Sequence, residues 1–212
     1  MRKTLVVANW KCHPVKLAEA KRLFAKVKNL EAVICPPFVY LSHFSHGRRK
    51  CSMGAQDCFW AEKGAFTGEI SPLMLRDLGV EYVILGHSER RKYQKETDRL
   101  IEKKLKAVMR AGLRPILCID KISQIPKKIK RGYILAYEPL FAIGTGKPCS
   151  IKKAKKIKDR IKKKVKVPLL YGGSVNSLNA RDYIKQAGFD GLLVGGASLK
   201  PKEFIDIVKA VC

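Results

Sequence analysis

A single glutamate stands at the end of an apolar segment, and this arrangement is where chemistry is first expected. Glu138 closes the run "YILAYE", is followed at once by Pro139, and precedes the small, flexible residues of "FAIGTGK". Only one other acidic residue, Asp159, lies between Lys121 and Lys166. A carboxylate at a buried strand end is costly. The pattern therefore indicates either an ordinary strand end with a glycine-rich turn or a catalytic base beside a moving lid.

Other apolar segments also end in polar or glycine residues. The first predicted strand ends in Asn9 and Lys11, and the fourth ends in His87. The seventh and eighth strands end in Gly172–Gly173–Ser174 and Gly195–Gly196. Singly, each of these could be structural, since a strand-end histidine is often only hydrogen-bonded and a glycine pair often marks a turn.

Together, these residues suit a phosphate-bearing carbonyl substrate. Glu138 can take a proton from carbon, and a neutral His87 can donate a hydrogen bond to the adjacent oxygen. Lys11 and Asn9 can stabilise the resulting negative charge. The backbone N–H groups of Gly195 and Gly196 suit a phosphate.

The elements that must position these residues are eight short apolar strands separated mostly by helical patterns. The predicted strands are 4–10, 32–38, 51–57, 82–87, 114–120, 133–138, 168–174 and 191–197. Nearly continuous apolar strands predict a parallel sheet buried on both faces. Eight such units favour a shortened α/β (β/α)8 TIM barrel, with an open doubly wound sheet as the alternative. We expect residues 1–212 to form one domain, since no linker divides them.

The fifth and sixth strands are joined by a segment too short for a full helix. We expect a helical remnant around Ser123–Arg131, with Ile122, Ile125 and Ile129 on the side that faces the barrel.

Composition limits the remaining choices. The apolar run near the start is too short for a signal peptide and no run is long enough to span a membrane, so we expect a cytoplasmic protein without membrane partners. The seven cysteines have no metal-binding spacing, and neither metal nor cofactor is expected. The net charge of +26 leaves open a nucleic-acid-binding protein, although no nucleic-acid motif supports specific binding.

Six motifs give a family resemblance over most of the chain. They are "ANWK" (8–11), "GAFTGEIS" (64–71), "LGHSERR" (85–91), "YEPLFAIGTGK" (137–147), "YGGSV" (171–175) and "GLLVGGASLK" (191–200). Together they resemble the triosephosphate isomerase family, whose reaction interconverts dihydroxyacetone phosphate and D-glyceraldehyde 3-phosphate. Another phosphate-binding barrel enzyme is the runner-up.

The resemblance also implies roles for individual residues. Glu138 is the base, His87 the neutral electrophile, and Lys11 and Asn9 contact the substrate. Phosphate is held by Gly144, Ser174, Gly195 and Gly196. Ser88 and Glu89 are supporting residues, and residues 139–147 form the lid.

The resemblance further implies that the chain forms an oligomer. This sequence also departs from the family pattern at two positions. A homodimer is expected, with a tetramer possible, and Thr67 contacts the neighbouring subunit. Phe141 stands where the family usually has tryptophan in the lid hinge, and Asp120 occupies a usual glycine position. We expect Phe141 to fill the hinge pocket.

Overall fold

Eight parallel strands close into a barrel in a computed structural model that describes residues 4–142 and 148–212. The strands are β1 (Leu5–Asn9), β2 (Val33–Cys35), β3 (Ser52–Ala55), β4 (Tyr82–Leu85), β5 (Arg114–Ile119), β6 (Ile134–Tyr137), β7 (Leu169–Tyr171) and β8 (Gly191–Val194). Each pairs with its sequence neighbour, and β1 pairs with β8 from Leu5↔Gly191 to Ala8↔Val194. The predicted (β/α)8 barrel is therefore confirmed, and the open sheet is wrong.

Helices surround the barrel. They are α1 (Leu17–Val27), α2 (Phe38–Phe44), α3 (Pro72–Asp77), α4 (Ser88–Tyr93), α5 (Asp98–Arg110), α6 (Ile151–Lys164), α7 (Ala180–Lys185) and α8 (Pro201–Val211). Helix α4 was not predicted, because its sequence "SERRKY" has no apolar period and buries no residue. It begins where the His87 side chain accepts a hydrogen bond from the Glu89 backbone N–H, which caps the first turn.

Two apolar regions hold the strand ends in place. Inside the barrel, side chains such as Val7, Ile84, Ile116 and Leu170 are completely buried. Outside it, amphipathic helices pack one face on the sheet, as α5 does with Ile101, Leu105 and Val108. Burying one such side chain contributes about 1.5–3 kcal/mol. The rigid barrel thus fixes where each strand ends.

The connection between β5 and β6 is the shortened part of the barrel. Its helical remnant is a single 3-10 turn, Ile122–Gln124, in which the Gln124 Oε1 accepts hydrogen bonds from the backbone N–H groups of Asp120 and Lys121. The expected reduction of this helix to a remnant is confirmed, but the remnant spans Ile122–Gln124 and not Ser123–Arg131. Pro126 lacks the N–H that a continuing helix requires, and Lys127 and Lys128 follow it directly.

Three isoleucines nevertheless cover the flank that a full helix would have covered. Ile122, Ile125 and Ile129 are partly buried and pack against the core between sheet and helices. Only Ile122 belongs to the turn, so the expected placement of all three on a short helix is wrong, whereas their packing on the barrel is confirmed. Within residues 4–142 and 148–212, no helix has the length and apolar character needed to cross a membrane.

Candidate active site

Glu138 lies immediately after β6 and is 1% exposed. Its backbone N–H donates to the Ile119 carbonyl at 2.8 Å, which continues the β5–β6 pairing. In the side chain, Oε2 accepts from the backbone N–H of Ser88 at 2.9 Å. The other oxygen, Oε1, makes no well-aligned hydrogen bond to the described residues. One carboxylate oxygen is therefore fixed, and the other is open to a reacting proton.

His87 faces that open oxygen, with Nε2 3.0 Å from Glu138 Oε1. The other ring nitrogen, Nδ1, lies 3.3 Å from the backbone N–H of Glu89 and accepts its hydrogen bond. A proton on Nδ1 would oppose that N–H, so we assign the neutral ring with its proton on Nε2. The ring can then donate a hydrogen bond from Nε2 toward the cavity.

Burial and the neighbouring charges shift the pKa values of Glu138 and His87 in opposite directions. Burial raises the pKa of the Glu138 carboxyl, but His87 and the Ser88 N–H outweigh it and hold that pKa below its usual range. Burial likewise lowers the pKa of His87, whereas the Glu138 carboxylate raises it, and the net direction is upward. The upward direction favours a second proton on the ring, but the Glu89 N–H directed at Nδ1 opposes that proton, and on this geometry the ring is assigned as neutral. Glu138 is thus ionised at neutral pH, the form that can accept a proton.

Lys11 is held in an unusual backbone conformation beside the pair. Its φ of 55° lies in the left-handed region that non-glycine residues rarely adopt. The Asn9 Oδ1 accepts from the Lys11 N–H at 3.0 Å, and Glu89 Oε1 lies 2.5 Å from the Lys11 ammonium. The residues predicted as supporting therefore hold groups of the site: Ser88 binds Glu138, and Glu89 binds both Lys11 and His87.

A cavity of about 480 Å³ brings these groups together with the ends of β7 and β8. Its lining includes Asn9, Lys11, His87, Glu138, Gly172, Gly173, Ser174, Gly195 and Gly196. Two glycines permit close approach of side chains: a Cβ on Gly172 would lie 3.0 Å from Glu138 Cγ, and one on Gly195 3.3 Å from Lys11 Cε. Gly195 and Gly196 begin the 3-10 turn Gly196–Leu199, whose first N–H groups are suited to an anion.

Three expectations from the sequence concern residues that are not among the described lining of this cavity. Gly144 lies outside the described residues, as do all lid positions from 143 to 147. Thr67 lies exposed in the loop after β3, near the clustered rings of Phe59, Trp60 and Phe66. The expected burial of Phe141 in a hinge pocket is not observed, because the side chain is 51% exposed with the Lys153 ammonium 4.1 Å from its ring centroid.

Sequence reasoning missed two residues that support the site. Gln56 Nε2 donates to the carbonyls of Lys11 and Cys35, each at 2.9 Å, and thereby braces the left-handed turn at Lys11. Gln56 directly follows β3, so the strand-end rule could have identified it. Cys118, within β5, adjoins Glu138; burial, reinforced by Glu138, raises the pKa of its thiol, so the S–H can donate to the carboxylate.

Further polar residues widen the cavity on the side of β7 and β8. Asn176, Asn179 and Lys200 contribute to its lining. No group of three or more histidine, cysteine or acidic residues within residues 4–142 and 148–212 is arranged to hold a metal ion.

Comparison with known proteins places the chain among enzymes of one activity. The sequence model of the triosephosphate isomerase family matches residues 4–211. The triosephosphate isomerase of Dictyoglomus turgidum is 38% identical over 250 aligned positions, which cover 99% of this chain and 100% of that protein. The Trichodesmium erythraeum triosephosphate isomerase is 39% identical over 239 positions, covering 98% and 99%. Both alignments are longer than the 212 residues of this chain, which agrees with its shortened barrel.

Proposed function

The chain belongs to the triosephosphate isomerase family, and we propose that Glu138, His87 and Lys11 carry out its proton transfers in the cavity described above. The enzyme interconverts dihydroxyacetone phosphate and D-glyceraldehyde 3-phosphate, a reaction of glycolysis and gluconeogenesis. The observation that carries the assignment of roles is the 3.0 Å approach of His87 Nε2 to Glu138 Oε1 in a cavity that also has glycine N–H groups.

The reaction begins with transfer of a proton from carbon to Glu138. Oε1 takes the proton from the carbon next to the substrate carbonyl, and the electron pair of the broken C–H bond moves toward the carbonyl oxygen. The His87 Nε2–H donates a hydrogen bond to that oxygen, and the Lys11 ammonium stabilises the negative charge of the enediolate. Such preorganised donors act most strongly where water is excluded.

The reaction ends when the same carboxyl returns the proton to the neighbouring carbon. Between the two steps His87 moves a proton between the two substrate oxygens, so that the carbonyl and hydroxyl exchange places. No atom or electron enters or leaves, which makes an added cofactor unnecessary. Asn9 contacts the substrate beside Lys11, while Gly144, Ser174, Gly195 and Gly196 hold the phosphate.

Positioning residues support this chemistry. Ser88 fixes Glu138 Oε2 through its backbone N–H, so that Oε1 remains the reacting oxygen. Glu89 holds the Lys11 ammonium and the His87 tautomer at once. An assay of the purified chain with each triose phosphate in turn, without added metal or cofactor, tests the proposal. We expect conversion in both directions, and its absence would exclude this function.

We further propose one domain that works in the cytoplasm, where glycolysis operates, as a homodimer in which Thr67 contacts the partner subunit. The loop that carries Thr67 presents Phe66, 40% exposed, and other large apolar side chains, among them Val15, Val39 and Met74, are also exposed. Contact with a second subunit would remove such surface from water. Light scattering on the eluting protein distinguishes a dimer from a tetramer or monomer, and Thr67→Arg should shift a dimer toward monomers.

A further inference from the structure

Helix α6 presents a dense row of cations on the outside of the barrel. It carries nine lysine or arginine residues and one acid, Asp159. Seven basic side chains are exposed, and we call these the basic ridge: Lys152, Lys153, Lys155, Lys156, Arg160, Lys163 and Lys164. The opposite face of the helix is apolar, and its residues Ala154 and Ile161 are buried against the barrel. The ridge therefore faces solvent along the length of the helix.

The ridge has an excess of positive charge that the described part of the chain does not neutralise. Asp159 is engaged by Lys158 at 2.9 Å, and Asp190 by Lys162 at 2.6 Å, so both nearby acids pair with cations outside the ridge. No salt bridge within residues 4–142 and 148–212 involves a ridge residue. Among the ridge residues, Lys153 instead lies over the Phe141 ring.

This charge arrangement is unfavourable for the helix alone. Lys152, Lys156, Arg160 and Lys164 follow one another at four-residue intervals, a spacing at which like charges repel. The first turn has no acid, so its lysines also oppose the positive end of the helix dipole. A surface serving solubility alone needs no such segregation of one sign. Binding of a polyanion would remove both penalties.

The shortened β5–β6 connection extends the same positive surface. Residues 121–131 contain five basic residues and no acid. They cross the flank over β5 and β6, to which Ile122, Ile125 and Ile129 attach them. Because α6 follows β6 in a barrel with sequential strand order, this segment and the ridge are neighbours in the outer layer. The cations therefore form one broad surface rather than a single helical stripe.

We propose that the basic ridge binds duplex DNA through its phosphates, without reading the base sequence. A helix of 14 residues is about 21 Å long. The ridge residues occupy about half of its circumference at 3.6 residues per turn. The B-form major groove, about 12 Å wide, admits an α-helix, so lysines on the two sides of the ridge can reach phosphates of both strands.

Other polyanions fit this geometry less well. A flat anionic membrane would meet only the outermost row of the ridge, and α6 exposes no large apolar side chain for insertion. The deep, narrow major groove of duplex RNA does not admit side chains readily. Six of the seven ridge residues are lysines, which bind phosphates as point charges rather than reading base edges in a fixed geometry. Base-independent contacts to DNA phosphates are therefore the inferred mode.

Salt titration of binding tests the proposal on the full chain. A fluorescent DNA duplex of about two helical turns (~20 base pairs) is titrated by anisotropy between about 50 and 200 mM salt, with two unrelated sequences. We expect equal affinity for both and a steep fall in affinity with salt. A clear preference for one sequence, or no binding at the lowest salt, would overturn the proposal.

A matched pair of triple variants locates the surface. Lys152→Gln, Lys156→Gln and Lys163→Gln together remove three ridge charges, whereas Lys21→Gln, Lys26→Gln and Lys209→Gln remove three exposed charges from α1 and α8. Loss of three phosphate contacts should lower the slope of log affinity against log salt by about 2 to 3 in the ridge variant only. Equal changes in both variants would show a net-charge effect and refute the ridge as the site.

Two further titrations distinguish DNA from the other polyanions considered above. Vesicles with anionic lipid and an RNA duplex of the same length are titrated in parallel, and tighter ridge-dependent binding to either would overturn the choice of DNA. The turnover number of the ridge variant should match that of the parent chain, since none of the three lysines contacts the cavity. Its melting temperature should be equal or slightly higher, since repulsion between like charges along α6 is reduced. DNA binding is thereby measured independently of the isomerase reaction.

Discussion

His87 Nε2 and Glu138 Oε1 lie 3.0 Å apart, although the two residues end different strands. Their approach depends on the barrel, which places β4 and β6 on either side of β5. The histidine is oriented by the Glu89 N–H and the glutamate by the Ser88 N–H, and both donors come from the first turn of α4. One short helix therefore orients both members of the pair.

Glu138→Gln tests the proposed base directly. The amide keeps the shape and can still meet the Ser88 N–H, but it cannot accept a proton from carbon. We expect turnover to fall by at least ~10²-fold, the low end for a general base, with the melting temperature little changed. A variant that retains turnover near that of the parent chain would remove Glu138 from the mechanism.

The pH dependence of the reaction should depend on His87. The Glu138 carboxyl has a lowered pKa, so the active carboxylate is present above that pKa and is lost as the pH falls through it. His87→Gln removes the main group that lowers this pKa and leaves burial, which raises it. The acid limb of kcat/KM should therefore move to higher pH in the variant. An unchanged limb, measured with the residual activity, would show that another group sets it.

How much of this site follows from sequence depends on the kind of residue. Asn9, His87 and Glu138 end apolar strands, so strand periodicity and the barrel rule place them on one rim. Gln56 ends a strand in the same way but was overlooked, because its contacts are to backbone carbonyls that no motif reveals. Helix α4 could not be predicted, since a histidine side chain and tertiary contacts stabilise it instead of an apolar face.

The buried ionic cluster beneath α4 is another feature that could not be predicted from the sequence. Lys104 is 4% exposed, and its ammonium lies 2.6 Å from the carboxylates of both Asp57 and Glu96. Asp57 is distant from Lys104 in the sequence, and Glu96 precedes the helix that carries Lys104. In the sequence, Lys104 is one of several lysines on an amphipathic helix. Only the packing of α5 against the loop after β3 distinguishes it from a solvated lysine.

Lys104→Met should therefore destabilise the fold strongly. It leaves Asp57 and Glu96 to share Arg90, 2.8 Å from each, and so buries one uncompensated negative charge. Breaking a buried ion pair in this way typically costs about 3–5 kcal/mol. Lys106→Met is the matched control, because Lys106 is exposed and pairs with Glu102 one turn away, a pair worth about 0.3–0.5 kcal/mol. Urea unfolding of the two variants measures the difference. Equal losses of unfolding free energy in the two variants would show that the buried ion pairs of Lys104 contribute no more than an exposed pair.

The deficit of the Lys104 variant should also grow with pH. Burial raises the pKa of Asp57 to about 6 in the parent chain, although Lys104 opposes that rise. Without Lys104 the folded-state pKa rises further, so a protonated Asp57 stabilises the fold at low pH, and this stabilisation is lost as the pH rises through the folded pKa. Unfolding free energies at about pH 5 and pH 8 should therefore differ more in the variant than in the parent chain. A deficit independent of pH would contradict this account.

Substrate capture should weaken as salt is added. Residues 121–166 carry a net charge of +14, from sixteen basic and two acidic residues, and two members of this segment, Glu138 and Pro148, line the cavity proposed to bind the phosphorylated substrate. Surface charge of this kind steers anions over distances of about 10 Å at 0.1 M salt. We expect kcat/KM to fall with ionic strength while kcat changes little. A kcat/KM independent of salt would show that the charge does not assist capture.

Ile125→Asp tests how the shortened flank is covered. Ile125 directly follows the 3-10 turn after β5 and packs, with Ile122 and Ile129, where a full helix would otherwise lie on the barrel. A charge at this partly buried position should cost about 1–3 kcal/mol, or roughly 2–12 °C in melting temperature for a chain of this size. The Michaelis constant should remain almost unchanged, since Ile125 does not line the active-site cavity.

Lys127→Asp, at an exposed position two residues away, serves as the control for the added negative charge and should leave the melting temperature within about 1 °C. If Ile125→Asp instead disrupts assembly without lowering the stability of the isolated subunit, the isoleucines form a subunit contact, and the packing argument is wrong.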